Sequence, residues 1–216
     1  QEENAQRYND WLLEECSKYP GRLYPLLAID PRAPFAEKMA RSFLEAGGFG
    51  LGELCVYETG LDPLVLLQLE RLAALCRAHE APLLVHVNES LGHPYLGKAP
   101  IQLTEIWELI LRTQGTKLIL AHFGGGIPFF ASLKKGMREL LNLVRFDTAA
   151  MPFIYDPVAL SAALTILGPE FFLFGTDFPL LSTPRYLKFF KQANLTEPQQ
   201  ALILGENART FLEFHD

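Results

Sequence analysis

Short apolar runs alternate with amphipathic stretches along the whole chain. Six runs rich in Leu, Val, Ile and Phe have the length of buried strands: 23–30, 49–56, 82–89, 117–124, 144–149 and 171–178. Stretches with helical periodicity precede the first run and follow each run: 3–18, 36–47, 62–80, 103–114, 128–141, 157–167, 183–193 and 197–213. Near-continuous hydrophobicity is typical of parallel strands buried on both faces. The alternation therefore predicts a parallel α/β fold.

Polar residues lie in or just after the second halves of these predicted strands: Glu53, His86, Asn88, Glu89, His122, Asp147 and Asp177. A closed barrel brings the carboxyl ends of many strands to one mouth, whereas an open doubly wound sheet joins only a few at its switch point. We therefore predict an α/β fold of the (β/α)8 TIM-barrel type, with residues 1–216 as a single domain. A full barrel has eight strands, and the first segment here is a helix. We expect the first two strands to be absent from this chain.

Composition and charge argue against nucleic-acid binding and against a membrane-spanning protein. The chain has 216 residues, 49% of them hydrophobic, and a formal net charge of −6, so it has no basic surface for nucleic acid. No apolar run reaches the roughly 18–20 residues that cross a bilayer. Cys16, Cys55 and Cys76 are widely spaced and form no CxxC pair, which suits a reducing compartment and predicts a cytoplasmic protein. An aromatic content of 12% is compatible with a homodimer.

Three residues are the first candidates for chemistry. His86 follows four apolar residues in LLVHVNE, where it is either a hydrogen-bonded core histidine or a ligand. His122 repeats the pattern in LILAHFGGG, 36 residues later, which is about one strand–helix unit. Asp177 follows a strongly apolar strand in FFLFGTDFP, and its alternative role is a helix N-cap. Imidazole and carboxylate together are good ligands for zinc and similar divalent ions.

Four further residues are candidates for supporting roles. Glu53, in GLGELCV, is a metal ligand, a residue that orients a histidine, or a polar partner in the mouth. His93 and Lys98 lie in the loop SLGHPYLGK, where they either bind substrate or belong to an ordinary surface loop. Arg185 either pairs with a substrate carboxylate or is a helix-surface residue.

Several segments resemble the amidohydrolase-related family, in the branch of the aminocarboxymuconate-semialdehyde-type decarboxylases. The resemblance covers almost the whole chain and rests on GELCV, LLVHVNESLGHPYLGK, LILAHFGGGIPFF, FDTAAMPFIYDP, FLFGTDFPLLSTPRY and ILGENARTFL. It implies a metal-dependent barrel with one or two divalent ions, with zinc as the first choice and manganese or iron as alternatives. It implies that His86 and Asp177 bind metal and that His122 is an acid/base or a ligand. It matches Glu53 to the acidic position of the family's fourth strand.

One departure from the family pattern matters. The family's first strand carries an HxH pair, and no two of the five histidines here are spaced by two. We expect that pair in the missing N-terminal strands, and this chain alone to supply part of a metal site.

Three functions follow from these observations. The first is a metal-dependent hydrolase that uses metal-activated water on a small organic substrate, with Asp177 and His122 as catalytic residues. The second is a metal-dependent non-oxidative decarboxylase on the same site, in which Lys98 or Arg185 pairs with the substrate carboxylate. The third, motivated by the absent HxH, is an inactive barrel that acts as a binding protein.

Overall fold

A computed structural model describes residues 2–214. Its six strands are β1 (Leu26–Leu27), β2 (Gly50–Leu54), β3 (Leu83–Val85), β4 (Leu118–Leu120), β5 (Val144–Asp147) and β6 (Phe172–Leu173). They form one parallel sheet in the order β1-β2-β3-β4-β5-β6. Sequential parallel order is the strand order of a (β/α)8 barrel. The predicted α/β barrel class is confirmed, with six barrel strands in the described part of the chain.

Helices lie before β1, between successive strands and after β6, and those between strands form the crossovers that parallel pairing requires. They are α1 (Glu2–Ser17), α2 (Ala36–Glu45), α3 (Pro63–Ala78), α4 (Leu103–Arg112), α5 (Ala121–Gly124), α6 (Met151–Ile154), α7 (Pro157–Leu167), α8 (Thr183–Gln192), α9 (Glu197–Ala201) and α10 (Asn207–Phe211). A π-helical turn, Leu202–Glu206, joins α9 to α10. The described residues contain no helix that is long and apolar enough to cross a membrane.

The predicted helix over 128–141 is wrong. The structure has two 3-10 turns there, Ile127–Phe130 and Glu139–Leu141, with turns between them. Gly136 has φ +88°, a left-handed conformation that ends a right-handed helix. The apolar periodicity of this segment reflects packing of separate turns rather than one helix.

Alternation along the strands gives the sheet two faces. On one face, side chains pack against the helices in the main core: Leu83, Val85, Leu118, Leu120, Val144, Phe146 and Phe172. The other, which we call the inner face, carries Leu84, Ile119, Arg145 and Leu173. Phe211 of α10 packs on this inner face with Ile119 and Leu173. The core thus lies mainly between sheet and helices, and α10 covers part of the inner face.

Candidate active site

Polar side chains from neighbouring strands meet at the carboxyl end of the sheet. Glu53 lies in β2 and His86 comes directly after β3. His122 follows β4, and Asp147 ends β5. A side chain at Gly52 would place its Cβ 2.5 Å from the Cβ of Leu84, so only glycine allows β2 to approach β3 this closely beside Glu53.

Glu53, His86 and His122 form a compact group, which we call the donor triad. The Glu53 Oε1 lies 2.7 Å from His86 Nδ1 and 3.3 Å from His122 Nε2, and the two ring nitrogens are 3.1 Å apart. Among the described residues these three are the group whose ligand atoms could hold one metal ion, all lying within 4.8 Å of one another.

The spacing of the donor triad suits a small divalent ion. Zinc–ligand bonds of about 2.0–2.1 Å in tetrahedral geometry place neighbouring ligand atoms about 3.3 Å apart. Two of the observed separations, 3.1 and 3.3 Å, are close to this value, and the third, 2.7 Å between Glu53 and His86, is that of a hydrogen bond. Both histidines are buried, and His86 Nε2 has no hydrogen-bond partner among the described atoms. The contacts within the triad are made by His86 Nδ1, so the unpaired Nε2 would be satisfied by a group other than an ion held by the triad.

A left-handed turn sets the position of His122. His122 has φ +51° and Phe123 φ +63°, and three glycines follow, so α5 is not an ordinary right-handed turn. The buried Asp147 carboxylate holds this backbone by accepting the His122 and Ala149 N–H groups, each at 2.9 Å. The Ala149 carbonyl then accepts a hydrogen bond from His122 Nδ1 at 3.2 Å, which turns His122 Nε2 toward Glu53.

The charges of the triad are coupled. Burial alone would raise the pKa of Glu53, but hydrogen bonds from His122 and His86 outweigh it and lower that pKa to about 2. Burial would lower the pKa of His122, yet the hydrogen bond to Glu53 and the charge of Asp147 raise it to about 9. Burial raises the pKa of Asp147 to about 6. Glu53 is therefore a carboxylate, and the triad in this state pairs it with a cationic His122.

Asp177 lies in the same cavity as the donor triad but outside the triad itself. The ends of β5 and β6 bring it there: Thr148 Oγ1 exchanges hydrogen bonds with Gly175, and the buried Tyr186 hydroxyl donates to the Thr176 carbonyl at 3.0 Å. The cavity has a volume of about 750 Å³. Its mouth carries apolar side chains, among them Leu91, Leu96, Phe153 and Phe178. The cavity thus contains both a carboxyl group and a metal-type donor set, and it has an apolar rim.

The other three supporting candidates occupy different positions. His93 lines the cavity. Lys98 donates to Glu89 Oε1 at 2.9 Å and to the Leu91 carbonyl at 2.8 Å, so its ammonium is engaged within its own loop. Arg185 lies over the Phe153 ring, 4.8 Å from its centroid, and is not part of the cavity lining. These roles in substrate binding stay predictions.

Sequence reasoning gave Asp147 no role. Its signal was present as a strand-end carboxylate in VRFDTA, but nothing in one sequence says that its partners are backbone groups 25 and 2 residues away. Tyr57, which packs edge-on against the His86 ring at 5.3 Å, gave no signal at all.

Fold and site together define a parallel α/β barrel protein with a metal-type donor set at the carboxyl ends of its strands. Comparison with known proteins agrees with this class. The family model described as amidohydrolase matches residues 1–214. The chain belongs to the amidohydrolase family, and the predicted family membership is confirmed.

One relative in sequence and several similar solved structures are decarboxylases. It is 26% identical, over 253 residues, to gamma-resorcylate decarboxylase from Rhodococcus jostii, covering 97% of this chain and 76% of the relative. The solved structure of 2,6-dihydroxybenzoate decarboxylase from Rhizobium has 19% identity and a TM-score of 0.65, covering 97% of this chain and 76% of that one.

A third similar structure has a metal bound. Dihydroxybenzoic acid decarboxylase from Polaromonas sp. JS666, solved with manganese and the inhibitor 2-nitroresorcinol, has 19% identity and a TM-score of 0.64. The match covers 98% of this chain and 75% of that chain. At this identity the structural matches show the fold. The Rhodococcus relative favours the decarboxylase alternative over the predicted hydrolase.

Proposed function

We propose that this protein is a metal-dependent non-oxidative decarboxylase of hydroxylated aromatic carboxylates. The observation that carries the proposal is the donor triad facing one cavity with Asp177 beneath an apolar rim. The named decarboxylase relatives support the reaction class. The apolar rim supports an aromatic substrate, because it offers a ring contacts that a small polar substrate could not use.

The donor triad is the part of the site that holds the ion. Two imidazoles and a carboxylate suit zinc, which stays our first choice, while manganese is the alternative, as in the Polaromonas structure. When bound, a divalent ion supplies a positive charge that orients the substrate carboxylate or a neighbouring hydroxyl. Asp147 and Ala149 keep His122 in place for this role through the hydrogen bonds of its backbone and Nδ1.

We assign the proton transfer to Asp177. In the reaction the ring carbon that bears the carboxylate gains a proton, the bond to that carboxylate breaks, and its electron pair returns to the ring as CO₂ leaves. Asp177 lines the cavity without belonging to the donor triad, so its carboxyl group can give that proton and regain one from water.

The test measures CO₂ release from 2,6-dihydroxybenzoate by the full chain after reloading with Zn²⁺ or Mn²⁺. We expect metal-dependent CO₂ release with formation of the corresponding phenol. The Asp177→Asn variant should lower the rate about 100-fold or more while it keeps its metal. Asp10→Asn, at an exposed position of α1, is the matched control and should retain full activity.

Other outcomes identify the other predicted functions. Release of an acid from aromatic esters or lactones, without CO₂ from carboxylates, would establish the hydrolase. A protein that binds metal and aromatic ligands but turns over none of these compounds would be the binding barrel. Loss of metal from Asp177→Asn would make Asp177 a ligand, as first predicted, instead of the proton donor.

A further inference from the structure

The loop 89–98 leaves the sheet three residues after His86, and its two ends are tied together. The side chain of the buried Asn88 donates to the Ala99 carbonyl at 3.1 Å and accepts from the Ala99 N–H at 2.8 Å. A ten-residue loop with joined ends is a compact Ω-type loop. The loop is therefore fixed at its base to the strand end that carries His86.

An ion pair holds the inside of this loop. Lys98 Nζ lies 2.9 Å from Glu89 Oε1, and it also reaches the carbonyls of Leu91 at 2.8 Å and His93 at 3.4 Å. The Tyr95 hydroxyl donates to the other Glu89 oxygen, Oε2, at 2.9 Å. We call Glu89, Tyr95 and Lys98 the loop clasp. It connects the start, the middle and the end of the loop.

The clasp is too enclosed to be an ordinary surface ion pair. The Lys98 side chain is 13% exposed and that of Glu89 21%. All three N–H groups of the ammonium are directed at oxygens of the loop, which leaves none for a substrate anion. A partly buried pair with this many partners orders the backbone that it connects.

This ordered loop presents apolar side chains to the cavity. Leu91 and Leu96 line the cavity, yet they are 82% and 105% exposed. Phe178, which also lines the cavity, is 84% exposed. Leucine side chains this open contribute little to the stability of the fold, but they lose contact with water when a ring enters the cavity.

We propose that the loop 89–98 determines specificity for the aromatic ring of the substrate, with Leu96 as a contact and Lys98 and Glu89 as positioning residues. This inference rests on the proposed function for its substrate class. It goes beyond that function in assigning ring selection to one loop and in giving the Lys98–Glu89 pair a positioning role in place of anion binding.

The experiment compares binding and turnover in matched variants of the metal-loaded chain. The first measurement is the affinity for 2,6-dihydroxybenzoate by calorimetry, with acetate as a carboxylate that has no ring. We expect Leu96→Ala to weaken binding of the aromatic ligand about tenfold and to leave acetate unchanged. Leu133→Ala is the control, because Leu133 is 69% exposed outside the cavity lining.

Lys98→Met tests the clasp. This variant should weaken binding of the aromatic ligand about tenfold and raise KM more than it lowers kcat. It should also increase deuterium uptake over residues 89–98. Metal affinity should stay within twofold of wild type, and Lys98→Arg should restore part of the ring affinity. Lys188→Met, at an exposed position of α8, is the control and should change none of these values.

The results separate this inference from the proposed function. Ring binding that depends on Leu96 and Lys98 without CO₂ release would support the loop and reject the decarboxylase. Aromatic affinity unchanged in both Leu96→Ala and Lys98→Met, or no aromatic binding by wild type at millimolar concentration, would overturn the loop proposal. If Lys98→Met fails to fold, the aromatic affinity of Leu96→Ala, a change at an exposed position, still tests the loop proposal.

Discussion

At the residue scale, three side chains share the charge of the site: Glu53, His86 and His122. Glu53 is 32% exposed in its side chain, whereas His86 and His122 are each 7% exposed. One carboxylate therefore faces two enclosed imidazoles. Its hydrogen bonds are what lower the pKa of Glu53 and raise that of His122. A divalent ion between them would take the place of the shared proton.

The Glu53→Gln variant should bind Zn²⁺ or Mn²⁺ at least 10- to 100-fold more weakly, because an amide lacks the charge of the carboxylate. Calorimetric titration at pH 7 measures this. Glu45→Gln, at an exposed position at the end of α2, is the control and should bind like wild type. Equal affinity in both variants would show that Glu53 neither binds the ion nor supports its binding through His86.

Two cysteines should react slowly with alkylating agents in the folded protein. Burial raises the pKa values of Cys55 and Cys76 to about 12, so at pH 8 only about one thiol in 10⁴ is the reactive thiolate. The alkylation rate should rise about tenfold per pH unit between pH 7 and 9. Mass spectrometry after iodoacetamide treatment, with and without urea, measures the rates. Labelling of Cys55 in the native state as fast as in urea would contradict this expectation.

At the element scale, the left-handed turn after β4 is the feature that places His122. Gly125 has φ +60°, and a Cβ there would lie 2.7 Å from the Asn88 carbonyl oxygen and 2.7 Å from Ile106 Cδ1. Both the conformation and the lack of space require glycine. The three glycines of HFGGG all adopt positive φ angles in this turn.

Gly125→Ala should lower the free energy of unfolding by about 1–3 kcal/mol and reduce metal affinity, because the turn that carries His122 has to shift. Gly205→Ala is a matched control, since Gly205 lies in the π-helical turn with no atom within 4 Å of the added Cβ. Urea denaturation followed by circular dichroism measures both variants. A Gly125→Ala protein as stable as Gly205→Ala would refute the role given to this turn.

At the scale of the whole molecule, the inner face of the sheet carries different chemistry at its two ends. The carboxyl end holds the donor triad and the cavity. On the same face, Phe211 of α10 packs against Ile119 and Leu173, and Arg145 lies 4.3 Å above its ring. Nearby, Phe214 stacks on Tyr24, with ring centroids 4.3 Å apart. The last described residues of the chain thus cover apolar surface that the six strands leave open.

Phe211→Ala should lower the free energy of unfolding by about 3 kcal/mol, because Phe211 is 7% exposed and its removal leaves a cavity on the inner face. Leu204→Ala, at 39% exposure in the neighbouring π-helical turn, should cost about 1 kcal/mol or less. Thermal and urea unfolding measure the difference. Equal losses in the two variants would show that α10 does not support the sheet.

The sequence by itself determined the elements that depend on local periodicity. Each of the six predicted strand regions contains an observed strand, and helices such as α3 and α8 lie where predicted. At β1 and β6 the ladder is shorter than the apolar run, because each pairs with one neighbour only. The prediction of a helix over 128–141 was wrong because left-handed glycine conformations and separate turns leave little trace in apolar periodicity. The homodimer and the cytoplasmic location stay predictions.

For the site, the sequence predicted candidate residues, and the tertiary structure decided how they are grouped. Apolar strands that end in His86, His122 and Asp177 mark the mouth of a barrel, because an ionisable group after a buried strand needs a partner or a ligand. Three features of the site depend on contacts between residues 9 to 36 positions apart. Glu53 is the third member of the donor triad, Asp147 holds the His122 turn, and Lys98 is engaged within its own loop. Such contacts are set by strand register and loop closure, which a single sequence does not specify.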